Sequence, residues 1–110
     1  MESFERKERT AELLLLYGKV MTETVYRRMA YFYLEDYSIG EIAQNEGVSR
    51  NAVFESLRAG EKLLDEWEDK LGFYQKNNKI NHMLDELSTA DKERQKELIQ
   101  AIKGEISYGI

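Results

Sequence analysis

Apolar residues along the chain recur at three- and four-residue steps, the rhythm of amphipathic helices. Over 4–21, Leu13, Leu14, Leu16, Tyr17, Val20 and Met21 form one stripe that can face a core. Thr22 can cap a second helix with Glu23 in its first turn. Its buried stripe is Val25, Tyr26, Met29, Phe32 and Tyr33, and it is expected to end near Asp36. Ser38 can cap a short third helix in which Ile39, Ile42 and Ala43 share a face, with Gly47 marking its end. Ser49 can cap a fourth, carrying Val53, Leu57, Leu64, Trp67 and Leu71, with Gly60 as a candidate bend. Gly72 is a plausible break before a fifth helix with Tyr74, Ile80, Met83, Leu84 and Leu87. Ser88 and Asp91 have capping-box-like spacing ahead of a last helix using Leu98, Ile99, Ile102 and Ile106.

Within this series, residues 38–57 carry the pattern of a helix-turn-helix. Ala43 is small enough for a second helix to cross closely over the first. Gly47 tolerates the left-handed backbone that reverses the chain, and Val48 is placed to plug the corner. Ser49 caps the second helix, whose Val53 and Leu57 point inward at i and i+4. The expected fold is all-α: a three- or four-helix helix-turn-helix bundle extended by long C-terminal helices. A single domain over 1–110 is expected, with a core at about 22–64 and an extension at about 65–110.

Composition narrows the classes. The 110 residues are 42% hydrophobic and 34% charged, which is globular and rich in exposed helical surface. There is no proline to interrupt helices. The absence of cysteine excludes disulfides, thiolate zinc sites, iron–sulfur clusters and a cysteine nucleophile, and reads as cytosolic. The longest apolar run, 13–17, is far short of the roughly 20 residues that span a bilayer. A cytoplasmic protein without signal peptide, anchor or membrane insertion is therefore expected. The net charge of −5 argues against non-specific binding of nucleic acid by the whole molecule, but leaves room for a local basic face.

That face would lie on the second helix of the motif. If its first turns enter a major groove, Arg50 could donate to guanine, Asn51 could pair with adenine and Arg58 could reach phosphate. The candidate nucleic-acid-binding residues are Ser49, Arg50, Asn51, Phe54, Arg58 and Lys62, joined by Arg27 and Arg28 from the preceding helix. Glu55 sits among them, so the balance over 49–62 is only +1. The run Asp65, Glu66, Glu68, Asp69 that follows is expected to be a solvated helix face, repelling phosphate unless it points elsewhere.

An enzyme is not expected. His82, the one histidine, and Glu86 could supply two metal ligands, whereas a closed site needs about four; a surface ion pair is the expected reading. Gly104 and Gly109 are isolated, so there is no glycine-rich phosphate loop, and Ser49 is accounted for by capping. No catalytic residue, cofactor or metal is assigned.

Residues 22–64 resemble the fourth region of bacterial sigma factors, where a helix-turn-helix reads promoter DNA. Over nearly the whole length the chain more closely resembles the YlxM-like family of small bacterial proteins. The matching stretches are Leu16-Tyr17-Gly18, Met21-Thr22, the tract from Tyr33-Leu34-Glu35-Asp36-Tyr37-Ser38 through Ile42-Ala43, the turn Gly47-Val48-Ser49-Arg50-Asn51-Ala52-Val53, and Glu61-Lys62-Leu63-Leu64 through Lys70-Leu71. Glu35-Asp36-Tyr37-Ser38 separates this family from ordinary sigma factors, and residues from Asp91 onward match it only in general helical character. The resemblance implies a regulatory, DNA- or RNA-binding protein associated with the signal recognition particle pathway.

A second reading is an interaction module that docks on a targeting component, on its protein or its RNA, without entering a DNA groove. Docking on protein would depend on exposed aromatic anchors such as Phe54, Trp67 or Phe73. Leu57, Leu64 and Leu71, spaced by seven with Trp67 and Tyr74 between, could pair the long helix across a two-fold axis, and a homodimer is favoured because helix-turn-helix proteins often use symmetry to extend their contact area. Packing on the last two helices could bury the same leucines.

Overall fold

Among the residues described by the computed structural model, 3–108, there are six α-helices and no strand. They are α1 (Phe4–Tyr17), α2 (Glu23–Tyr33), α3 (Ile39–Glu46), α4 (Arg50–Leu71), α5 (Phe73–Leu87) and α6 (Lys92–Ser107), with a 3-10 turn (Gly18–Val20) after α1. The all-α class and the helix-turn-helix formed by α3 and α4 agree with the sequence pattern. The chain divides into two compact units, Met1–Asp69 and Lys70–Ile110.

Hydroxyl and carboxylate caps set most of the helix starts. Thr22 Oγ1 accepts from the Val25 N–H at 3.3 Å and Ser49 Oγ from the Ala52 N–H at 3.0 Å. At α3 the cap is reciprocal: Ser38 Oγ accepts from the Glu41 N–H at 3.0 Å, and the Glu41 carboxylate accepts from the Ser38 N–H at 2.9 Å. Those hydrogen bonds hold the Glu41 carboxyl below the ordinary carboxylate range. The last helix departs from expectation, because its cap is Asp91, accepting from the Arg94 N–H at 2.8 Å. Ser88 instead closes α5, its hydroxyl donating to the Asp85 carbonyl at 3.0 Å.

The core of the first unit is drawn from four helices: Leu13, Leu14 and Tyr17 of α1, Met29 and Tyr33 of α2, Ile42 and Ala43 of α3, and Val53, Leu57 and Leu64 of α4. The apolar stripe of α1 stops short of the predicted length. The helix ends at Tyr17, so Val20 falls out of register and is 44% exposed, as is much of Leu16. Gly18, at the end of the helix, lets the Tyr26 ring close on the backbone, since a Cβ there would lie 2.6 Å from that ring. Similarly, α2 ends at Tyr33 rather than near Asp36, which takes a positive φ of 62°.

Gly60 leaves α4 unbroken. It is the point of closest approach to α2: a Cβ there would lie 2.8 Å from Met29 Sδ and 2.9 Å from Met29 Cγ, and Met29 is fully buried. One polar bond closes the same unit from the other side, where the buried Tyr17 hydroxyl donates to the buried Glu68 carboxylate at 2.7 Å. Glu68 therefore belongs to the interior rather than to a solvated acidic face.

The second unit is an antiparallel hairpin of α5 and α6. Its pairs run in reverse order, Lys79 with Glu105 at 2.6 Å and Glu86 with Arg94 at 2.6 Å, and Lys76 Nζ donates to the Tyr108 carbonyl at 2.5 Å. Leu98 is the deeply buried residue of this pair of helices.

Gly60→Val forces branched bulk against the fully buried Met29, and overpacking of this kind costs about 1–3 kcal/mol. Chemical denaturation is expected to show a lower midpoint for this variant with an unchanged slope.

Candidate nucleic-acid interface

The turn between α3 and α4 is built by Gly47, whose φ of 69° is left-handed and whose N–H reaches back to the Ala43 and Gln44 carbonyls. The Val48 N–H follows it to the Ala43 carbonyl at 3.1 Å. Val48 itself is 36% exposed, so it covers the corner only in part. Ile42, Ala43, Val53 and Leu57 are all buried on the inner sides of the two helices, which leaves the opposite side of α4 open.

Ser49, Arg50, Asn51, Phe54, Arg58 and Lys62 are all exposed. Arg50, Asn51, Phe54, Arg58 and Lys62 share the outward flank by helical spacing, and Ser49 sits at its head as the cap. Arg50, Arg58 and Lys62 hold no ion pair among the described residues. Arg50 lies back across the start of α3, where a Cβ on Gly40 would meet its Nη2 at 3.1 Å. Arg58 hangs over the Phe54 ring, with 5.8 Å between its Cζ and the ring centroid.

Arg27 and Arg28 are not on this flank. Both turn to Glu46, the last residue of α3, at 3.2 Å and 3.0 Å. Arg28 continues to the Ser56 hydroxyl at 2.8 Å and the Ala52 carbonyl at 3.4 Å, and its side chain is 12% exposed. Its charge is answered inside the fold. The Arg28 guanidinium, with Arg27 beside it, holds the Glu46 carboxyl below the ordinary carboxylate range against the opposing effect of burial. A signal of this was present in the sequence: an acid in the last turn of a helix opposes the macrodipole, so a cation from elsewhere is needed there.

The acids downstream do not form one repelling face. Asp65, itself exposed, is bound by Arg9 at 3.0 Å and Glu68 is buried, which leaves Glu66 and Asp69 exposed with no ion pair among the described residues. Glu55 remains exposed beside the cations.

Other candidates resolve differently. Leu57 and Leu64 are 4% and 0% exposed, so the seven-residue leucine spacing serves the chain's own interior and does not present a seam to a second copy. Glu86 pairs with Arg94, not with His82, and among the described residues no three histidine, aspartate or glutamate side chains gather as a metal site would need. Of the aromatic anchors, Phe54 and Phe73 are 44% and 37% exposed, and Trp67 is half-buried. No helix among the described residues is long and apolar enough to cross a membrane. Gly109, the last of the isolated glycines, lies outside the described residues.

Residues 4–105 match the model of the family described as "Putative helix-turn-helix protein, YlxM / p13 like", UPF0122. The chain belongs to the UPF0122 family. Similar members include UPF0122 protein STH1464 of Symbiobacterium thermophilum, 42% identical over 76% of this chain and 78% of that one. UPF0122 protein BH2485 of Halalkalibacterium halodurans is 37% identical over 78% and 80%. UPF0122 protein EAT1b_2891 of Exiguobacterium is 32% identical over 96% and 94%, so in that pair the likeness takes in α6 as well.

Because Glu46 has a depressed folded pKa, its contribution is present above the ordinary value of 4.5 and is lost as pH falls through the folded one. Glu46→Gln is expected to lower unfolding free energy near neutral pH by about 2 kcal/mol, since it leaves Arg28 under-compensated in a mostly buried setting. Stability of the variant should also fall less steeply than that of the wild type below about pH 4.5. Denaturant titrations at neutral and acid pH check both.

Proposed function

We propose that this UPF0122 chain is a non-enzymatic nucleic-acid-binding protein that contacts its ligand through the exposed flank of α4. The observation that carries this reading is the sorting of cations. Arg27 and Arg28 are tied to Glu46, whereas Arg50, Arg58 and Lys62 hold no ion pair among the described residues and stand on the outward side of a helix whose inner side is fixed in the core. Arg50 stands in the first turn of α4 and Arg58 and Lys62 follow along the same flank, with Glu55 exposed among them and the exposed acids Asp65, Glu66 and Asp69 further along the 22-residue helix.

In this reading Arg50 and Asn51 address base edges, while Arg58 and Lys62 neutralise phosphates. The targeting pathway implied by the YlxM-like resemblance makes the RNA of a signal recognition particle the first natural ligand to offer, alongside duplex DNA. Regulation by such binding would be steric, since no catalytic group is assigned.

Binding to duplex DNA or folded RNA is expected to weaken with salt, with a log–log slope of about −1.4 to −1.8 for two neutralised phosphates. Arg58→Ala should reduce the slope by about one, and Arg50→Ala should weaken binding about tenfold with unchanged thermal stability. Fluorescence anisotropy over a salt series reads both effects. A salt-independent affinity, or one indifferent to both substitutions, overturns the proposal.

A further inference from the structure

Along the edge of the α4 flank runs a groove of about 410 Å3, within the range of small-molecule sites. Its apolar walls are Phe32, Ile39, Phe54 and Leu57, and the cations Arg6 and Arg58 also line it. Phe54 and Arg58 belong both to this groove and to the proposed contact flank. The lining also holds one carboxylate, Glu61, whose Oε1 accepts from the Tyr33 hydroxyl. No other donor among the described residues reaches that carboxylate, so Oε2 is left as an open acceptor in an aromatic groove.

These features select among ligands by chemistry. The aromatic walls suit a flat ring, and the cations Arg58 and Lys62, one helical turn apart, suit phosphates on either side of it. The open Glu61 oxygen asks for a hydrogen-bond donor on the ring. Cytosine, adenine and guanine carry an exocyclic amine that meets this need; uracil and thymine present a carbonyl there, which a carboxylate repels. A base held inside a duplex cannot enter a groove, whereas an unpaired base in a loop, bulge or single strand can. Resting on the reading of α4 as a nucleic-acid surface, we infer that this groove takes up one unpaired, amine-bearing base of a single-stranded or looped nucleic acid. Phe54 stacks on the base and Glu61 determines its identity.

Cytidylate and uridylate oligomers of equal length, which differ at this position only by amine against carbonyl, make the test. Wild-type protein is expected to bind the cytidylate oligomer about tenfold more tightly, the discrimination of one good base contact. Glu61→Gln keeps an oxygen for the Tyr33 hydroxyl and places an amide N–H2 where the open oxygen was, so it should abolish or reverse the preference. Phe54→Ala, at a half-exposed position, should weaken both oligomers about tenfold without a change in melting temperature. Equal wild-type affinity for the two oligomers overturns the inference, as does a preference unchanged by Glu61→Gln. If neither oligomer binds while a duplex binds in an Arg50-dependent way, the groove reading fails and the α4 reading stands. Absence of binding to any nucleic acid removes both.

Discussion

A single guanidinium on α2 sets the relation between the two helices of the motif. Arg28 holds the carboxylate of Glu46 at the end of α3 and, from the same planar group, the Ser56 hydroxyl and the Ala52 carbonyl on α4. α3 is only eight residues long, too short to persist on its own propensity. Its direction is imposed by its neighbours: the apolar contacts of Ile42 and Ala43 beneath it, the left-handed Gly47 behind it, and this mostly buried charge cluster at its end. An ion pair so placed is a weak source of net stability, because desolvation offsets much of the attraction. Its geometry is nevertheless strict, and the open flank of α4 exists because the other flank is held this firmly.

Local signals in the sequence were enough to give the helix order and most of the helix ends. Thr22, Ser38, Ser49 and Gly47 act where their short-range chemistry requires, since a cap or a left-handed turn needs partners only three to five residues away. The interior leucines of α1 and α4 likewise follow the helical period. What periodicity did not reveal depends on partners far along the chain. Arg28 is separated from Ser56 by 28 positions and Tyr17 from Glu68 by 51. Gly60 looked like a bend because only the position of Met29, across the fold, shows it to be a notch for a neighbouring helix. Arg27 and Arg28 resembled phosphate contacts for the same reason: composition displays a charge but not its partner.

The acidic balance of the chain is similarly divided by the fold. Glu46, Asp65, Glu68, Glu86 and Glu105 are bound internally to cations or to a hydroxyl, so the net charge of −5 is a poor guide to what any one surface presents. On the outward flank of α4, by contrast, Arg50, Arg58 and Lys62 are exposed and hold no ion pair among the described residues, with Glu55 exposed beside them. Screening acts on these exposed charges far more than on the enclosed ones, so changes in ionic strength should alter contacts made by the flank while leaving the packing beneath it little disturbed.

Basic residues of this small domain thus fall under different evolutionary constraints. Arg58 offers a charge at the end of a flexible stem over an aromatic ring, a task that lysine performs adequately. Arg28 engages three separate acceptors with one rigid fork, and an ammonium group has neither the span nor the planarity to replace it. Sequence drift should therefore exchange arginine and lysine freely along the outer surface and hardly at all at the buried junction. A scan that scored ligand retention alone would class the two sites together, although one is an architectural joint and the other a point of touch.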